Sequence, residues 1–263
     1  MNITAARAGL GTNTTGADAT RRLSLVAGIF FLLTFVHVAI FPFYDSVLNN
    51  SNFILGAGNA TGVRLGAIVE VIVVIANVAT GVILFQILRL EQPAIALGYV
   101  AVRVFESTVI AIGTMCLLAI VTLREGGQAA GVDPATLVSI GKSLVAVRDW
   151  TFFFGPGLCA GFGNGVLLGY LMYRSGLVPR RMALLGLIGG PLSIAGLVFV
   201  LFGAWDQDAP AQFLFTIVEI AWELSLSIFL IVKGFNRGPI TDAFVRTSAI
   251  QPPRLPTEPA GAE

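Results

Sequence analysis

The sequence predicts an all-α protein, an integral membrane helical bundle with six transmembrane helices. Apolar runs of about 20 residues recur along the whole chain, the length needed to cross a hydrocarbon core near 30 Å thick. The composition agrees. Of the 263 residues, 56% are hydrophobic and 12% charged, with a mean hydropathy of +0.85, whereas soluble domains carry about 25% charged residues. A net charge of +1 supplies no field to attract nucleic acid or acidic partners. The lipid bilayer is the expected partner, and no nucleic acid is.

Residues 1–20 are polar, rich in Thr, Gly and Ala, and are expected to form a disordered cytoplasmic N-terminus. The sequence Thr20-Arg21-Arg22-Leu23-Ser24-Leu25 resembles a twin-arginine export signal. However, the apolar stretch behind it outruns a signal-peptide core of about 7–15 residues, and further spans follow. Arg21 and Arg22 are therefore read as the flank of the first span. The transmembrane domain, 21–237, holds spans at about 23–43, 62–88, 94–123, 150–173, 182–204 and 211–235. The tail, 238–263, carries Pro252, Pro253, Pro256 and Pro259 and is expected to be disordered and cytoplasmic.

Orientation follows from the positive charges in the connections. One side carries Arg7, Arg21, Arg22, Arg89, Arg174, Arg180, Arg181, Lys233, Arg237, Arg246 and Arg254; the other has Arg124, Lys142 and Arg148. Both termini are thus expected in the cytoplasm, with the chain in the cell membrane. Trp150 and Trp205 then fall at the outer interface, where amphipathic rings belong. The long outer connection, 124–149, contains Asp133-Pro134, a good helix start. Leu137, Ile140, Gly141, Leu144 and Val147 follow at helical spacing. They predict a short amphipathic helix on the outer interface that runs on towards the fourth span.

Five ionisable side chains sit deep in the spans: Glu70, Arg103, Glu106, Glu219 and Glu223. A charge at the bilayer centre costs roughly 2.5–3.5 kcal/mol, so each needs a partner or a use. Arg103 and Glu106 are neighbours on one face of the third span, as are Glu219 and Glu223 on the sixth. Glu70 and Asn77, seven residues apart, nearly eclipse on the second. With a rise of about 1.5 Å per residue, Arg103 and Glu223 lie at matching depth, and Glu106 matches Glu219. Arg103 paired with Glu223 is therefore the expected contact. Four carboxyls face that one deep cation, so at least one is expected to hold a proton. The candidate polar cluster is Glu70, Asn77, Arg103, Glu106, Glu219 and Glu223.

His37, the sole histidine, is read as a satisfied core imidazole. Gly157, Gly161, Gly165 and Gly169 form a ladder at steps of four, which lets helix backbones approach closely. Gly155-Pro156-Gly157 marks a kink or a helix entrance. Cys116 and Cys159 read as small buried apolar residues. One histidine and no deep lysine exclude bis-histidine haem and a buried retinal-type Schiff base. No metal or cofactor is expected, and no nucleophile elbow, zincin motif or phosphate loop occurs. The chemistry leans away from an enzyme.

Tyr173-Arg174-Ser175-Gly176-Leu177-Val178-Pro179-Arg180, after the fourth span, resembles a loop of the bacterial membrane-protein family labelled domain of unknown function 4386. Gly155-Pro156-Gly157, Arg103-x-x-Glu106 and Lys233-Gly234-Phe235 go with it in order and spacing, covering most of residues 21–235. The resemblance implies a multi-spanning protein and supplies no activity. Physically, Arg174, Arg180 and Arg181 suit a tight turn facing anionic headgroups. The function class favoured by the deep charges is binding or passage of a small solute or a proton. The alternative is a non-catalytic structural or regulatory subunit in which the charges hold helices together.

Overall fold

The structure, a computed structural model, describes the backbone of residues 3–127 and 130–249, and the side chains of residues 18–127 and 130–247. Among the described residues there are helices and no strands, and six helical stretches are long and apolar enough to cross a membrane. The first span changes helix type along its length. Helix α1 (Ile3–Thr34) passes through a 3-10 segment (Phe35–Ile40) into α2 (Phe41–Leu48). The second and third spans are α3 (Ala60–Leu88) and α4 (Pro93–Gly126).

The fourth span is a continuous helical run: α5 (Pro134–Phe152), a π-helical segment (Phe153–Leu168) and α6 (Gly169–Ser175). Helix α7 (Arg180–Leu201) and helix α8 (Pro210–Val232) are the fifth and sixth. Helix α9 (Pro239–Ala249) lies against α1.

Each span packs against the next in sequence, and α8 returns to pack against α1. The six therefore form a ring, as short connections between antiparallel helices favour. The core has two main clusters, beside a small one of Phe153, Leu197 and Val200. At the end bearing Arg21 and Lys233, Phe31, Leu84, Leu88, Tyr99, Met172 and Trp222 form one cluster. Towards the opposite end, Ile40, Tyr44, Phe53, Ile54, Leu117 and Leu137 form the other.

Local chemistry explains the ends. Asn59 caps α3 by accepting from the Thr61 and Gly62 amides, and Asp133 caps α5 by accepting from Thr136 at 3.0 Å. Arg124 ties down residues 53–58, donating to the carbonyls of Phe53, Gly56, Ala57 and Gly58 and lying 4.6 Å over the Phe53 ring. The Gly176 turn is left-handed (φ 67°), as a helix C-terminus requires. Asn236 holds it by donating to the Leu177 and Gly176 carbonyls at 2.8 and 3.1 Å.

Three expectations change. Residues 3–20, expected to be disordered, belong to α1, where alanines at positions 5, 6, 8, 17 and 19 favour helix. Residues 239–249 of the expected disordered tail form α9. Pro239 starts it, the Thr241 hydroxyl accepts from the Gly238 amide, and Ile240 and Phe244 pack onto the core. The Pro-rich remainder lies outside the described residues. The helix expected after Asp133-Pro134 exists and runs on into the fourth span; what changes is Gly155-Pro156-Gly157, which does not break it. Pro156 has no N–H to donate, and the wide π turns absorb that gap without ending the helix.

Candidate functional site

The deep polar residues divide into two groups. The first is a closed knot around Glu70, which has no solvent exposure. Arg148 Nη2 donates to its Oε1 at 2.6 Å. The Tyr44 hydroxyl donates to Oε2 at 2.9 Å, and the Thr114 hydroxyl also donates to Oε2. Glycines make the knot sterically feasible. A Cβ at Gly113 would stand 2.3 Å from Thr151 Oγ1 and 3.0 Å from Arg148 Cδ, and one at Gly66 would stand 2.5 Å from the Tyr44 ring. Glu70 is thus a fully engaged acceptor.

The second group lines a cavity of about 250 Å³ at the centre of the ring, to which all six spans contribute. Arg103 is 1% exposed. Its Nη1 donates to Glu106 Oε2 at 2.7 Å, its Nη2 to Asn77 Oδ1, and its Nε to the Asn77 carbonyl at 3.4 Å. On the other wall, Asn164 Nδ2 donates to Glu223 Oε1 at 2.6 Å, and Trp222 Nε1 fixes the backbone there by donating to the Asn164 carbonyl at 2.9 Å. Glu219, 3% exposed, has no hydrogen-bond partner for either carboxyl oxygen among the described residues. Asn77 Nδ2, Asn164 Oδ1 and both nitrogens of His37 are likewise buried and without a partner, and all four of these residues line the cavity. Buried polar atoms are nearly always paired. Here four residues with at least one unpartnered buried polar atom line this one space.

The glycine ladder sets the walls. A Cβ at Gly161 would lie 2.9 Å from the Gly190 carbonyl oxygen, one at Gly165 2.4 Å from Gly190 Cα, and one at Gly169 3.2 Å from the Leu187 amide. These three bring α7 against the fourth span, as expected of small residues at that spacing. Gly157 instead lines the cavity. Gly189 gives the same close approach to α8, since a Cβ there would stand 2.6 Å from the Glu219 amide.

The pairing expected from depth is corrected. Arg103 bonds to Glu106 on its own helix and to Asn77, and Glu223 takes Asn164 instead. Helix depth was matched, but helix rotation aims the guanidinium at α3. The count of one deep cation is also corrected. Arg148, read as an outer-side charge, is 4% exposed and is the cation of Glu70. Its signal was present in the chain: Leu137, Gly141, Leu144, Arg148 and Thr151 continue one helical stripe. Glu70 is therefore separate from the cavity, whereas Asn77, Arg103, Glu106, Glu219 and Glu223 line it. His37 is not a satisfied imidazole. It stacks on Phe152 at 5.4 Å between ring centroids, with Nε2 4.0 Å from Glu70 Oε1. Arg174, Arg180 and Arg181 are exposed, with Arg174 Nε 3.6 Å from Glu91 and Arg180 5.6 Å over the Tyr173 ring.

Fold and site together define a multi-pass helical membrane protein whose bundle encloses a cavity lined by carboxyl groups. The family described as "Domain of unknown function (DUF4386)" matches residues 26–234, and the chain belongs to that family. Comparison with curated proteins and with solved structures gave no significant match.

Proposed function

We propose that the central cavity binds a small solute or a proton and serves its passage through the bilayer. The observation that carries this reading is Glu219, a buried carboxyl with both oxygens unpartnered at the wall of a 250 Å³ space. Such a group, left unpaired in a closed core, would cost stability for no return. Lining a cavity, it is available to a proton or to a donor on a solute. Glu223 on its own helix, and Glu106, Arg103 and His37 across the space, complete the ionisable set. The paired knot at Glu70 supports the alternative, charges acting as helix-packing glue, for that site alone.

We also propose that both termini face the cytoplasm across the cell membrane, and that Arg174, Arg180 and Arg181 meet its anionic headgroups. The asymmetry of Lys and Arg supports this orientation. A reporter fused after Lys233 should be active only if it is a cytoplasmic reporter; periplasmic activity would overturn the orientation. The functional test is flux in proteoliposomes. Passage of protons or solute should depend on pH and should disappear in Glu219→Gln with the parental melting temperature retained. Flux unchanged in that variant would refute the role given to Glu219.

A further inference from the structure

Part of the cavity's lining faces the outside of the bundle. Helix α1 meets α8 closely at the end bearing Lys233: a Cβ at Gly28 would stand 2.8 Å from the Ile231 side chain, and Arg21 Nη1 donates to the Leu230 carbonyl at 3.1 Å. Past Thr34 the first span turns from α-helix to 3-10 helix. The 3-10 segment and α2 pack against α3, and the cavity is lined by both of them and by α8. Its rim there carries Val38, Phe41 and Ile220, exposed at 64%, 46% and 38%, while its floor carries Glu219, 3% exposed. Glu219 sits nine residues into α8, or roughly 13 Å from its start, so this exposed lining falls at bilayer depth, where lipid chains lie.

The floor has a definite preference. Three carboxyls, Glu106, Glu219 and Glu223, share the space with one guanidinium, Arg103, which is already bonded to Glu106 and Asn77. With Glu219 ionised, the free valences on its side are acceptors: two carboxyl oxygens and Asn164 Oδ1. Gly165 joins these two places, adjoining Asn164 in sequence and lying so close to Glu219 that a Cβ on it would be 2.7 Å from Oε2. A primary ammonium brings three N–H donors and one positive charge, matching both the acceptor set and the excess of acids.

Resting on the reading of the cavity as a binding site, we propose that its solute is an amphiphilic monocation taken from the bilayer. A primary ammonium head docks at Glu219 and Asn164, and an apolar tail lies across Val38, Phe41 and Ile220. At about 30 Å³ per water-sized group, a space of about 250 Å³ holds the head and about seven carbons of tail.

The test is binding of tritiated hexylammonium to the full-length protein in nanodiscs, with uptake by empty nanodiscs subtracted. Ethyl-, butyl- and hexylammonium, hexanol and hexanoate are the competitors. Potency should rise about fourfold per added CH2, and neither hexanol nor hexanoate should compete. Glu219→Gln should lose binding more than tenfold. Val38→Trp, placed at the exposed rim where folding tolerates it, should weaken hexylammonium at least tenfold by blocking that side of the cavity. Equal potency of ethyl- and hexylammonium would overturn the lateral, tail-binding part and leave a polar cavity site. Equal competition by hexanoate would overturn the charge assignment. No alkylammonium binding alongside Glu219-dependent proton flux would refute this inference and leave the proposed function standing. If both binding and flux are absent, the proposed function fails as well.

Discussion

Replacing Arg148 by Met keeps the apolar stem of the side chain and removes its charge. Glu70 then loses the 2.6 Å bond to Nη2 and keeps the hydroxyls of Tyr44 and Thr114, with His37 Nε2 4.0 Å from Oε1, at a site with no solvent exposure. Breaking a buried pair by removing one partner costs about 3–5 kcal/mol, because the charge left behind is uncompensated. At about 2–4 °C per kcal/mol for a chain of this size, the melting temperature should fall by about 6–20 °C. Glu70→Gln alone should be damaging too, since it strands a guanidinium whose Nε and Nη1 already have no partner. The double variant has no stranded charge. It should lie within about 2 kcal/mol of the parent, far from the sum of the single losses. Thermal unfolding in one detergent, with SDS titration for the free energies, measures all four proteins. If Arg148→Met costs less than about 1 kcal/mol, or if the two losses simply add, the knot is not an ion pair and the argument fails.

Three further outcomes follow from the same geometry. Gly113→Ala puts a methyl 2.3 Å from Thr151 Oγ1, so it should destabilise by about 1–3 kcal/mol; adding Thr151→Ala should recover part of that, and no recovery would mean the clash lies elsewhere. A double-mutant cycle between Arg103 and Glu106 should give a larger coupling than one between Arg103 and Glu223, because only Glu106 bonds the guanidinium; the reverse order would restore the pairing inferred from depth. Gly165→Ala meets Gly190 backbone at 2.4 Å, with no flexible side chain to yield, and should lower the amount of folded protein by separating α7 from the fourth span; an unchanged melting curve would contradict that packing.

Hydropathy and charge by themselves determined that this chain is a six-span membrane bundle and that Glu70, Arg103, Glu106, Glu219 and Glu223 lie within its spans. Both follow from local quantities, since a helix of about 20 apolar residues satisfies its own backbone and needs no partner to be recognised. The glycine ladder was legible for the same reason, as a spacing along one helix. Which groups pair was settled by tertiary structure alone. Arg103 and Glu223 match in depth, yet the rotation of α4 turns the guanidinium to Asn77 and Glu106. Arg148 looks like a surface charge in a connecting segment until α5 and the π-helical segment join into one helix and carry it in to Glu70. Depth along a helix is a one-dimensional property of sequence. Azimuth, and the cavity that six azimuths enclose around Glu219, arise only when the helices pack.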